Sequence, residues 1–594
     1  GPDQHADIPG AQAQRNLLHR RLRPAAVDHI ELGDLQKHDS IVDAYNSHSF
    51  NPPVLPMPLR RLHAALFLLI AAFLCLPAVA LLLSWLQWDG ETLAILRGMA
   101  ATVLPDYVWT TVQLSLWVGL GVALMGAATA AAVSLFDFPG RRLFEWALLL
   151  PLAMPAYVVA YAYTDFLQFS GPLQTGLRAQ FGWEGRLLPE IRSIGGAAWV
   201  FTVSLYPYVY LLTRTALSER AAQLMEAARL LGAPLSRRIR EVALPMSRPA
   251  LAAGVALALM ETLADYGVSS YFGIQTFTTG IYKAWLSMDN RVAASQLATG
   301  LLVVVVILLH LEQRAQRKMR FATGRGGRGG TADAQPVRLS RRGWPVAWVL
   351  CALPILFGFV LPVAFMVRPL AADWSVLPWD RFVDWSFNSV RLAALTAVLA
   401  VAVALVLAFG QRRSPDRLTR AVVGLAGLGY AVPGAVIVVG LLLPVGWLQQ
   451  VAPQSGVGLL LTATSLGLVW AYLVRFCAVA LQSVQSGYAR IPVSLDDSAR
   501  MLGSGAAAVL GRVHVPLLRR SLVAAALLVF VDVMKELPAT MVLRPFNSDT
   551  LAVVAFQLAR DERLGEAALP SLALVLVGLI PVILLSRTLR SATH

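Results

Sequence analysis

Apolar residues in this chain come in blocks of roughly 20, the length a helix needs to cross the hydrocarbon core of a bilayer. Twelve such blocks can be read, near 62–86, 110–135, 144–168, 195–217, 249–272, 293–312, 344–367, 388–410, 420–445, 457–482, 519–541 and 568–589. Backbone polar groups within lipid must be satisfied inside each segment, so the blocks are expected to be helices. The pattern predicts an all-α polytopic membrane protein with about 12 transmembrane helices, arranged as two pseudo-symmetric six-helix halves. Pro151 and Pro155 in the third block and Pro433 in the ninth are expected to kink their helices.

The blocks divide the chain into a polar tail (1–57), a first transmembrane domain (58–312), a basic Gly/Arg-rich linker (313–343) and a second transmembrane domain (344–594). The tail holds five of the nine histidines but shows no periodicity, and Met57, the first methionine, directly precedes Arg60, Arg61 and the first block. A disordered tail, or a segment added ahead of the natural start, is expected there rather than a His-rich metal-binding arm. The linker carries Gly324, Gly326, Gly327, Gly329 and Gly330 among arginines and lacks the Gly-Lys-Ser/Thr of a Walker loop, so it reads as flexible chain.

Charge then orients the helices. The chain is 57% hydrophobic and only 14% charged, with a net charge of +15. In a soluble domain that balance would point to nucleic acid. Here the cations alternate between loops, which fits a protein inserted in a lipid bilayer and not a nucleic-acid partner. Arg141 and Arg142, seven arginines from Arg214 to Arg248, nine basic residues in 313–342, and Arg412, Arg413, Arg417 and Arg420 all fall on one side. The positive-inside rule predicts both termini in the cytoplasm of a bacterial inner membrane. Cys75, Cys351 and Cys477 lie in apolar stretches and form no metal-binding or disulfide pattern.

Two loops repeat. Glu226 to Pro245 reads EAARLLGAPLSRRIREVALP, and Asp497 to Pro516 reads DSARMLGSGAAAVLGRVHVP, at an offset of 271 residues. Each is expected to form a short helix, a break at Gly232 or Gly503 in the left-handed conformation, and a second short helix. The two loops resemble the EAA motif of binding-protein-dependent ABC importer permeases, whose coupling helix sits in a groove of the nucleotide-binding subunit. The first copy matches at Glu226, Ala227, Ala228, Gly232, Leu244 and Pro245. The second is degenerate, with Asp497, Ser498, Ala499, Gly503, Val515 and Pro516. The resemblance implies two copies of a separate ATPase carrying ATP and Mg, a periplasmic binding protein as a further partner, and neither a bound cofactor nor an enzymatic activity on this chain.

Met260–Gly267, Phe272–Trp285 and Met534–Asn547 resemble the ferric-iron branch of that family, with ferric iron (Fe3+) as substrate. Fused permeases for thiamine or phosphonate are similar overall, and a secondary transporter shares the twelve-span outline but would have no reason for matched loops. The acids supply a separate argument. The same offset of 271 places Glu261 on Asp532 and Asp265 on Glu536, giving each half two acids four residues apart, on one face of its fifth block. Carboxylates in a membrane are costly unless they face water, a proton or a cation. Fe3+ is a hard cation suited to oxygen ligands. Glu261, Asp265, Asp532 and Glu536 are therefore expected to line the path and to contact the metal transiently, with Lys535 as an alternative structural partner. Tyr157, Tyr161, Tyr163, Tyr206, Tyr208 and Tyr210 alternate at period two, which no single helix face can collect, and are expected to have packing or interfacial roles.

Overall fold

A computed structural model describes residues 57–591 except 88, 183, 219–221, 324–335, 376 and 415. The polar tail before Met57 and the glycine-rich centre of the linker lie outside the described residues. The chain divides into two compact units, Gly1–Ala65 and Leu66–His594, and the following description concerns the second.

Helix dominates because the apolar blocks are long enough to satisfy their own backbone, even where a proline lies inside, as Pro77, Pro207 and Pro444 do. Among the described residues ten helices are long and apolar enough to cross a membrane, or eleven when Arg141–Ala153 and Ala156–Phe181 count as one span bent by 88°. That bend falls at the Met154–Pro155 junction, as the prolines predict. Pro433 likewise caps Gly434–Val451 instead of lying inside a longer helix. The remaining difference from the twelve expected blocks is the stretch 519–541. It forms a 20-residue helix, Val515–Met534, and then breaks.

The same three-helix core occurs in both halves. In the first, α1 (Leu104–Leu135) packs on α2 (Ile194–Ala216) and α4 (Leu244–Ala264). In the second, α6 (Trp379–Arg413) packs on α7 (Ser465–Tyr488) and α9 (Val515–Met534). Small residues set these distances, as membrane helix contacts require. A Cβ on Gly254 would lie 2.6 Å from the Val209 Cα, so α4 approaches the α2 backbone only because that side chain is absent. In the second half Gly487 meets Ser521 and Leu518 in the same manner.

Between the second and third helix of each core lies a short helix, α3 (Ala222–Leu230) and α8 (Ser494–Met501). A wide-turn segment follows each, at Ile239–Ala243 and Val509–His514. A short helix also follows each core's last helix: α5 (Gly267–Tyr271) after α4 and α10 (Pro538–Leu543) after α9. The chain leading into the second half is tied to the first by a two-residue parallel pairing, Phe136–Asp137 with Val337–Arg338.

Candidate translocation cavity and coupling loops

The four acids sit where α4 and α9 stop. α4 ends at Ala264, and Asp265 is already extended (φ −73°, ψ 132°). α9 ends at Met534. The expected single face with acids four residues apart is therefore not formed: the helix ends between Glu261 and Asp265, and between Asp532 and Glu536. The reason is local. A helix that restarts leaves its first N–H groups unpaired, and a carboxylate just before the restart satisfies them. Asp265 Oδ1 accepts from the Val268 N–H at 2.8 Å. Glu536 Oε1 accepts from the Ala539 N–H at 2.9 Å, and Oε2 from the Thr540 N–H at 3.0 Å and the Thr540 hydroxyl at 2.7 Å. Both caps reach the third residue onward, so the gapless register holds through the break.

All four acids line one cavity of about 200 Å³ with walls from both halves. Arg475 and Lys535 line it too, as do Tyr157, Tyr208, Tyr430 and Ser204. Arg475 Nη1 pairs with Glu536 Oε1 at 3.3 Å, and the Lys535 ammonium donates to the Leu152 carbonyl at 3.0 Å. Lys535 thus binds a first-half carbonyl and is not the partner of Glu536. Glu261 and Asp532 have no hydrogen-bond or ion-pair partner among the described residues, and both are only half-buried. Among the described residues no group of three or more His, Cys, Asp or Glu side chains is arranged to hold a metal ion. The acids surround a space and do not form a ready-made metal centre.

First-half side chains hold the second-half break. Tyr157 donates to the Lys535 carbonyl at 3.3 Å, and Tyr282 to the Pro538 carbonyl at 3.0 Å. The tyrosines therefore separate into two sets. Tyr163, Tyr206 and Tyr210 donate to the carbonyls of Phe357, Leu148 and Glu145, which are packing roles. Tyr157, just past the 88° bend, and Tyr208 on α2 line the cavity, while Tyr161 packs edge-on against Tyr271. Arg475 is the residue that spacing arguments passed over. Its signal was a lone arginine within the apolar block 457–482, and an intramembrane cation of that kind marks function or pairing.

The two repeated loops have the same backbone. Gly232 (φ 78°) and Gly503 (φ 80°) are left-handed. Each ends its helix with paired bonds: Gly232 N–H to Arg229 O and Ala233 N–H to Ala228 O, then Gly503 N–H to Arg500 O and Ser504 N–H to Ala499 O. This is the Schellman arrangement, which needs a residue able to adopt positive φ. Glu226 pairs with Arg229 at 3.4 Å and Asp497 with Arg500 at 3.6 Å, in matched positions. Ala227 and Ala228 lie on the first helix, while the Ser498 hydroxyl bonds to the Ser494 carbonyl and Ala499 is buried on the second. Pro245 and Pro516 fall in the first turn of α4 and α9, where a missing N–H costs nothing. Just before each glycine two apolar side chains face outward: Leu230 and Leu231 at 81% and 87% exposed, Met501 and Leu502 at 88% and 86%.

Below these tips the loops differ. Asp496, buried on α8, accepts from Arg412 at 2.7 Å and meets His514 Nε2 at 2.7 Å. Arg412 also donates to the carbonyls of Ile491 and Pro492, and His514 Nδ1 meets the Tyr488 hydroxyl at 3.2 Å. At the matched positions the first half has Met225 and Ala243, both buried and apolar. Arg141, matched to Arg412, instead binds the Val133 carbonyl and Glu145.

Comparison with known proteins agrees with this geometry. Residues 123–317, which include the first loop, match the family described as binding-protein-dependent transport system inner membrane component. The chain is 24% identical over 528 residues to an Fe(3+)-transport system permease protein of Haemophilus influenzae, covering 88% of this chain and 97% of that one. It is 28% identical over 187 residues to a putative 2-aminoethylphosphonate transport system permease of Salmonella typhimurium, covering 31% of this chain and 65% of that one. It is also 28% identical over 252 residues to a sulfate transport system permease of Escherichia coli, covering 41% and 82%. With paired glycine-capped loops and two copies of one helical core, the chain is similar to the binding-protein-dependent ABC transport permeases, whose family model it matches over residues 123–317.

Proposed function

We propose that this chain forms the membrane path of an ATP-driven importer of ferric iron. The observation that carries the reading is the cavity between the halves, where four carboxylates outnumber two cations and Glu261 and Asp532 make no hydrogen bond or ion pair among the described residues. Arg475 pairs with Glu536 and Lys535 donates to the Leu152 carbonyl, so the excess of carboxylates leaves the space negative and rich in oxygen. A hard cation fits that chemistry, whereas phosphonate or sulfate would meet unpaired carboxylates. The near full-length similarity to a permease named for Fe(3+) transport supports the same substrate.

In this reading a periplasmic binding protein delivers Fe3+ at the outer face, and Glu261, Asp265, Asp532 and Glu536 line its route. Two copies of a separate ATPase hold the loops 226–245 and 497–516 through the exposed pairs Leu230/Leu231 and Met501/Leu502. ATP and Mg are bound by those ATPase copies, and closure of the pair rocks the halves 58–312 and 344–594 from inward to outward access. Both termini face the cytoplasm, in line with the arginine-rich loops. The test is ATPase activity and uptake in liposomes carrying the permease with its ATPase and binding protein. Ferric-loaded binding protein is expected to stimulate both, and apo protein or thiamine- or phosphonate-loaded alternatives to stimulate neither. Stimulation by an organic ligand and not by iron would leave the importer and remove the iron assignment.

A further inference from the structure

The four acids are alike in sequence but not in structure. Asp265 and Glu536 are consumed by the backbone: each caps the helix that restarts after the break, and Glu536 also pairs with Arg475. Glu261 and Asp532 stand one turn earlier, on the last turn of α4 and α9, and make no hydrogen bond or ion pair among the described residues, although the charge of Arg475 acts on both and that of Lys535 on Asp532. They are related by the offset of 271, so each half supplies one capping acid and one open acid.

A second observation points to a ligand at the open pair. Ser204, 3% exposed, lines the same cavity, and its hydroxyl has no hydrogen-bond partner. A buried hydroxyl without a partner costs about 1–3 kcal/mol in an ordinary interior. In the cavity that Glu261 and Asp532 also line, it is a further oxygen for an arriving cation. Tyr208 and Tyr430, one from each half, line a small side cavity with Glu261 and Arg475 and add phenolic oxygens.

Resting on the importer reading above, we propose that Glu261 and Asp532 are the pair that receives the substrate cation, with Ser204 as an auxiliary oxygen. Asp265 and Glu536 do not bind substrate; they are positioning residues that fix the bends carrying the pair. The ligand class is a hard cation bound through oxygen alone. No bond is made or broken, and the site releases its cargo when the two halves separate and the carboxylates part.

A hydrophobic carbodiimide, which reacts with free intramembrane carboxyls, separates the two roles in the assembled transporter in liposomes. Peptide mass spectrometry is expected to find adducts at Glu261 and Asp532, and Ga3+ (a redox-inert trivalent cation) to suppress them. Adducts at Asp265 and Glu536 in place of that pair, or no protection by Ga3+, would overturn the assignment. Transport supplies a second readout. Glu261→Gln and Asp532→Asn are expected to lower iron moved per ATP hydrolysed by about tenfold, the factor expected when cation binding weakens by ~1.4 kcal/mol. Asp265→Asn and Glu536→Gln, which disturb the bend, are expected to slow uptake and hydrolysis together and keep the ratio. The opposite split would refute the division of roles. The labelling arm needs no transport, so a wild-type complex that moves no iron removes the ferric assignment alone, and the adduct pattern still decides the division.

Discussion

At the scale of single residues, the cavity shows how one residue type takes two roles from its place relative to a helix end. Glu536 is 5% exposed and answers two N–H groups, a hydroxyl and the Arg475 guanidinium. Removing it leaves a buried cation uncompensated, which typically costs about 3–5 kcal/mol. Glu536→Ala is therefore expected to lower the unfolding temperature of the detergent-solubilised protein markedly, while Glu261→Gln, which breaks no bond, leaves it nearly unchanged. Equal shifts would contradict the assigned roles. Gly434 makes the ion pair possible: a Cβ there would lie 2.9 Å from both Arg475 Nη1 and Glu536 Oε1. Gly434→Ala is expected to push the pair apart and destabilise the protein, by less than Glu536→Ala because the arginine end can shift. Thermal melts of the two variants side by side check that order. The sequence showed the four acids and their repeat. It did not show which were capping, because that depends on a helix ending after Ala264 and Met534, inside otherwise apolar runs.

At the scale of elements, the two repeated loops share a backbone and differ in anchorage. Both need a left-handed glycine, and alanine at such a position costs about 1 kcal/mol or more. Gly232→Ala and Gly503→Ala are expected to weaken binding of the ATPase, read by co-purification, without unfolding the transmembrane core. The second loop is further fixed to the end of α6 by the Arg412–Asp496–His514 cluster. Burial alone would raise the Asp496 pKa, but the hydrogen bonds and charges of Arg412 and His514 outweigh it and hold the carboxyl below its ordinary value. A lowered folded pKa stabilises above the unfolded value of about 3.9 and is lost as pH falls through the folded value. The second loop is thus expected to stay anchored from neutral pH down to about pH 4 and to loosen only below. Protease cleavage within 494–514 measures this. Asp496→Asn is expected to give the cleaved pattern already at neutral pH, and cleavage of the first loop is expected to be unaffected by that substitution. Insensitivity of the second loop to Asp496→Asn would show that the cluster does not anchor it.

At the scale of the molecule, the repeat produces two similar cores and a polar space between them, closed by first-half tyrosines on the second-half break. The outward-facing pairs Leu230/Leu231 and Met501/Leu502 are the points where a soluble motor would grip. Leu231→Asp and Leu502→Asp are each expected to reduce stimulated ATPase activity while leaving the solubilised permease monodisperse. In the proposed importer the second loop, tied to α6 through Arg412, would pass force to that helix directly, so Leu502→Asp is expected to reduce transport more than Leu231→Asp. Equal losses would show that the polar cluster makes no difference to coupling.

The sequence by itself determined the helical membrane class, the doubling of the core, the glycine-centred loops and the four acids. Those features depend on block length, spacing and residue type, which are properties of a linear pattern. The 88° bend that carries Tyr157 inward, the meeting of Arg475 with Glu536 across 61 residues, and the unpaired state of Glu261 and Asp532 were decided by tertiary structure alone. The physical reason is the same in each case. Whether a charge in a membrane is capped, paired or open depends on what packs against it, and the partners here come from other helices and, for the closing tyrosines, from the other half.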